Sequence, residues 1–181
     1  MKKEVSNNKI ERRYLGEFVY GATDGTVTTF AVVAGAIGAS LSPTIVLILG
    51  FANLFADGFS MAIGDYLSEK AHIEAEHKRN SWKKEHNPPV KSALVTFLSF
   101  VIIGLIPLIT FILSYFFQSI AKHEFLYASI LTGISFLAIG AIRGEVVKKH
   151  PIKSAIEIFL VGSVAALIAF AVGYFLRSLV G

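Results

Sequence analysis

Hydrophobic residues along this chain gather in five long blocks separated by short polar joints. The blocks cover about 14–39, 43–67, 92–117, 125–142 and 152–180. Wound as a helix at 1.5 Å per residue, even the shortest spans roughly 27 Å, close to the hydrocarbon thickness of a bilayer. The pattern predicts an all-α integral membrane protein of five transmembrane helices, forming one membrane domain over 1–181. Ser42 followed by Pro43 suits a helix start, with serine as cap and proline at the first helical position. Pro107 falls inside the third block and predicts a kink there. Pro88-Pro89 closes a short polar connector, 68–91, and Pro151 opens the fifth block.

The polar joints set an orientation. Of the 17 lysines and arginines, only Lys122 and Arg177 fall on one side of the predicted spans. The rest lie in the polar start, in the connector after the second span, and in the joint between spans four and five. By the positive-inside rule the N-terminus is cytoplasmic and the C-terminus outside. Topology therefore accounts for the net charge of +4, and no nucleic-acid partner is expected. A cleaved signal peptide is disfavoured by the polar start and the length of the first block, although Ala34-Gly35-Ala36 has suitably small residues. The membrane of residence is multi-pass in either case: the cell (inner) membrane in a prokaryote, a vacuolar or other organelle membrane in a eukaryote.

Composition narrows the chemistry. Charged residues make up 17% of the chain, against roughly 25% in soluble domains, and mean hydropathy is +0.61. The chain has no cysteine, which removes disulfides, thiolate metal sites and cysteine nucleophiles. No span holds a paired-histidine motif or an evident nucleophile–base pair, so the chain is not read as an enzyme and no bound cofactor is expected.

Against this apolar background the intramembrane acids stand out. A charge at mid-bilayer costs about 2.5–3.5 kcal/mol on insertion scales, so such residues usually face a protein interior or a water-filled path. Counted from the basic ends, Asp24 on the first helix and Asp57 on the second lie about 15–16 Å deep. Met61 lies about 10 Å deep, and Glu17 and Asp65 about 4.5 Å. Asn53, Asp57, Met61, Asp65 and Glu69 recur every four residues and form one stripe; Tyr20, Asp24 and Thr28 form a shorter one. Carboxylate and amide oxygens suit hard divalent cations, and a thioether adds softness that favours a first-row metal such as Fe²⁺ over Mg²⁺ or Ca²⁺. Plainer readings stand beside this: Met61 as core filler, Glu17 and Asp65 as solvated interface acids, Asp24-Gly25 as an unwound capped turn. Gly21 and Gly25, with Gly58 and Gly64, would let helices approach within a subunit or across a dimer.

In the connector, Glu69, His72 and Glu76 share a helical face that could hold a metal transiently, or form part of a solvated mixed-charge helix. His123 and Glu124 fall in an outer loop. Glu145 and Glu157 are further candidates, the latter within reach of Lys153 one turn earlier.

The stretches Tyr20-Gly21-Ala22-Thr23-Asp24-Gly25-Thr26-Val27-Thr28-Thr29 and Ala56-Asp57-Gly58-Phe59-Ser60-Met61-Ala62-Ile63-Gly64-Asp65-Tyr66-Leu67 resemble the vacuolar iron transporter family. The resemblance implies a five-helix homodimer with a translocation path along the subunit interface. It implies export of Fe²⁺, and of Mn²⁺, from the cytoplasm in exchange for protons, so that metal ions, protons, lipid and a second copy are the partners. Asp24 and Met61 match the family's intramembrane metal ligands, and Glu17 an acid nearer the mouth. Two departures are visible. Asn53 stands where members often carry glutamate, leaving Asp57 to supply the charge or to carry protons. The long acidic metal-binding domain between spans two and three is absent. A reading of a different class is a membrane scaffold or regulatory subunit whose acids bind a partner helix.

Overall fold

The computed structural model describes the backbone of residues 2–78 and 88–180, and the side chains of 14–76 and 88–179. Among the described residues every regular element is helical. The elements are α1 (Lys2–Gly38), α2 (Pro43–Lys78), α3 (Pro89–Gly104), α4 (Ile106–Ser114), the single turn α5 (Gln118–Ala121), α6 (Glu124–Val146) and α7 (Pro151–Val180). The connector residues Arg79, Lys83, Lys84, Glu85 and His86 lie outside the described residues, as do the side chains of His77 and the N-terminal basic cluster.

Prolines set several of these boundaries. Pro43, Pro89 and Pro151 each open a helix, where their missing N–H is no loss. Pro107 follows the break at Leu105, and α3 and α4 meet there at a bend of 42°. The third hydrophobic block is thus a bent pair rather than one rod. Two other hairpin turns close without glycine. Ser40 and Lys148 each take φ 55°, and each sits in a pair of nested bonds that ends the preceding helix. Leu41 N–H reaches Ala36 O and Ser40 N–H reaches Ile37 O; Lys149 N–H reaches Gly144 O and Lys148 N–H reaches Glu145 O. This is the Schellman arrangement, with a non-glycine residue in the left-handed position.

Among the described residues three helices are long and apolar enough to cross a membrane: α2, α6 and α7; the bent pair α3–α4 makes a fourth when counted as one span. The first block behaves differently. Its helix carries Glu17, Asp24 and four threonines within the turns from Tyr14 to Gly38, and it does not reach the same hydropathy. Its position explains why. α1 packs against α2, α3, α4, α6 and α7, and Ala22, Thr26, Thr29, Val33 and Ala34 are buried along it. A helix surrounded by protein has no need of a lipid-compatible surface. α7 is the opposite case, with Ile152, Leu160, Val164, Leu167, Ile168 and Leu179 exposed.

Close packing around α1 depends on small residues. A Cβ on Gly25 would stand 2.5 Å from the Phe100 carbonyl oxygen, and one on Gly21 would collide with Ser99 and Thr96 of α3. Further along, Gly35 and Gly38 face α7 in the same way. Phe100, Phe111, Phe136, Leu54 and Leu108 fill the core between these helices.

Candidate functional site

The polar stripe of α2 occupies a boundary. On one side of it Leu54, Gly58 and Ala62 are buried; on the other Ala56, Ser60 and Gly64 are exposed. Asn53, Asp57, Met61, Asp65 and Glu69 are all half-buried between them. This follows from the period of four, because a stripe one residue removed from the buried one is rotated by about 100° towards the surface.

Asp24 is also half-buried, and it lies near enough to Asp57 for the two charges to act on each other. α1 runs through Asp24-Gly25 without interruption, so the unwound-turn reading of that pair is corrected: the neighbouring helices supply enough packing to keep it helical. Neither Asp24 nor Asp57 has a hydrogen-bond or ion-pair partner among the described side chains. Thr28, on the Asp24 stripe, donates its hydroxyl to the Asp24 carbonyl at 2.8 Å and so is held by its own helix. Tyr20 is 60% exposed and lines a separate cleft with Thr23, Arg143 and Glu157. Met61 packs against the hydrophobic core while remaining half-buried.

The two shallower acids meet on α3. Ser92 Oγ donates to Glu17 Oε1 at 3.3 Å, and Thr96 Oγ1 donates to Asp65 Oδ2 at 2.9 Å. Ser92 and Thr96 are one turn apart, with relative exposures of 2% and 0%. They were not among the sequence candidates. Their signal is the four-residue spacing of hydroxyls at the start of the third block, weak because most hydroxyls within helices bond their own backbone. The other oxygen of Glu17, Oε2, is buried and has no partner among the described residues, as is the amide nitrogen of Asn53.

Other candidates lie apart from this group. Glu69 is half-buried and, like Glu76, engaged by other groups. Glu157 pairs with Arg143 at 3.0 Å across the α6–α7 hairpin, a cross-helix partner in place of the Lys153 expected along its own helix. His123 precedes α6 and packs edge-on against Tyr127. Among the described residues no three of the aspartate, glutamate and histidine side chains converge as a metal-holding group. One protomer thus offers Asp24 and Asp57 within electrostatic range of each other, and Glu17 and Asp65 each held by a hydroxyl of α3.

Long apolar helices around a buried, acid-bearing first helix define a multi-pass membrane protein with ionisable groups in its interior. The particular family follows from comparison: residues 15–88 and 69–174 match the VIT family, and the chain belongs to it, a family of transport proteins rather than enzymes. It is similar to the vacuolar iron transporter of Toxoplasma gondii, 30% identical over 93% of this chain and 76% of the relative. It is 25% identical to that of Plasmodium berghei over 97% of this chain and 87% of the relative. Vacuolar iron transporter homolog 4 of Arabidopsis thaliana is 30% identical over 87% of this chain and 81% of the relative.

Proposed function

We propose that this protein exports Fe²⁺, with Mn²⁺ as a related cargo, from the cytoplasm across its membrane in exchange for protons. On this reading α1 is the fifth span, its basic end is cytoplasmic, and the C-terminus lies outside. The path follows the polar faces of α1 and α2 where two copies meet. The relatives' names supply the metal and point to a vacuolar or similar organelle membrane; a prokaryotic source would put the same fold in the cell membrane.

The observation that carries the proposal is the Asp24–Asp57 pair. Two carboxylates set within mutual electrostatic range inside a helical bundle, without a described cation beside them, are costly unless a positive species visits. A divalent ion satisfies both, and in its absence protons do. Metal and protons thus compete for the same oxygens, which is the elementary requirement for exchange. Met61, one turn towards the basic end, adds a soft ligand that suits a first-row metal. Asp24, Asp57 and Met61 provide three ligands, short of the six typical of Fe²⁺. A second copy contributing the same stripe would complete the shell.

Metal uptake by proteoliposomes carrying an imposed proton gradient tests this. Asp24→Ala should abolish uptake, and Met61→Ala should lower it by about tenfold, the loss expected for one ligand. Unimpaired transport by a correctly folded Asp24→Ala protein would sink the site.

A further inference from the structure

Several hydroxyls inside this bundle serve their own helices, and Thr29, Thr110, Thr132 and Ser154 are buried with no partner among the described residues. Thr26 donates to Ala22 O, Ser129 to Phe125 O and Ser135 to Leu131 O, each about a turn back along its own helix. Ser92 and Thr96 do otherwise: both are buried, and both donate across a helix boundary to a carboxylate, one on α1 and one on α2. Each acid is held by one oxygen only. Thr96 takes Oδ2 of Asp65, and no described group bonds Oδ1. Ser92 takes Oε1 of Glu17, and Oε2 is buried without a partner.

We infer that Ser92 and Thr96 are specificity-determining positioning residues, which restrict Glu17 and Asp65 to one metal-facing oxygen each and so disfavour Ca²⁺. The inference rests on the reading of this protein as a divalent-metal transporter, and deepens it. A carboxylate chelates an ion through both oxygens. One whose second oxygen already accepts a charge-assisted hydrogen bond has one lone pair there engaged, which biases it towards binding through the first. Ca²⁺ takes 6–8 oxygen ligands and commonly draws on bidentate carboxylates. Two chelating acids would give it four oxygens at this point, whereas two tethered ones favour giving it two. First-row ions accept fewer and softer ligands, and lose less. Because Ser92 and Thr96 lie one turn apart on α3, both acids are limited by the same helix.

Equilibrium binding of Mn²⁺ and Ca²⁺ to the purified protein, read beside Mn²⁺ uptake with Ca²⁺ as competitor, tests this. Thr96→Val keeps the shape and removes the donor. It should strengthen Ca²⁺ binding relative to Mn²⁺ by about tenfold, the size of one charge-assisted hydrogen bond. Ser92→Ala should shift the ratio the same way by less, in keeping with its longer contact. Thr96→Ser, which retains the hydroxyl, should restore the wild-type ratio. An unchanged ratio in Ser92→Ala and in folded Thr96→Val overturns the inference while leaving transport standing, and so does Thr96→Ser behaving like Thr96→Val. A changed ratio in a protein that binds but does not move metal sustains the inference and overturns the transport reading instead.

Discussion

Asp24 and Gly25 are neighbours with opposite duties. The carboxylate lies within electrostatic range of Asp57, while the glycine brings the backbone of α1 against Phe100 of α3. The same contact therefore sets the position of α1 beside the acids of α2. Adding a methyl group at Gly25 forces it to within 2.5 Å of a main-chain oxygen, which cannot rotate away. At Gly58 the nearest atom to an added Cβ is 3.0 Å away and belongs to the Phe100 ring, which can yield. Gly25→Ala should then cost about 3 kcal/mol, the upper end for overpacking, and Gly58→Ala well under half of that. Thermal unfolding of both variants in detergent measures the difference. Equal losses would mean that the α1–α3 contact is not the rigid one.

Two helix ends show how a local motif can work against its own residue. Ser40 and Lys148 occupy the left-handed position that glycine usually fills. Ser40 gains a side-chain contact in return, since Arg177 donates to its hydroxyl. Lys148 is exposed and makes no such contact among the described residues, so Lys148→Gly should raise stability by about 1 kcal/mol, the steric penalty of that conformation. A melting temperature that falls instead would show that the lysine side chain compensates for its backbone. Neither position could be read from the sequence, because the usual marker, glycine, is missing. The prolines were legible: Pro43, Pro151 and the kink at Pro107 stand where the sequence places them. The single half-buried stripe of Asn53, Asp57, Met61, Asp65 and Glu69 was legible too, since helical geometry converts a spacing of four into a shared face. The α3 hydroxyls were not, because a serine four residues before a threonine looks the same whether it bonds its own helix or another. The special standing of α1 was also hidden. Its modest hydropathy reads as a weak span until its neighbours are known to surround it.

At the scale of the whole molecule, the small residues of α2 divide into two sets. Gly50 and Gly58 face Leu108 and Phe100 inside the protomer, but a Cβ on Gly64 would meet open space. Ala52, Ala56, Ser60 and Gly64 share one exposed face of α2, beside the half-buried stripe that carries Asp57 and Met61. Lipid gains nothing from small side chains, whereas a second helix does, because they allow its backbone to come close. The second copy proposed above to complete the metal shell would bring the same face of its own α2. Gly64→Leu should therefore leave the protomer's packing intact and abolish the dimer, reducing metal uptake to background. Val164→Trp, at an exposed position on α7, should do neither. Native mass spectrometry from detergent, paired with uptake in proteoliposomes, distinguishes the outcomes. A Gly64→Leu protein that remains dimeric would remove this face from the interface. A monomer that still transports would confine the path to one protomer, and the ligands missing from Asp24, Asp57 and Met61 would then have to be water.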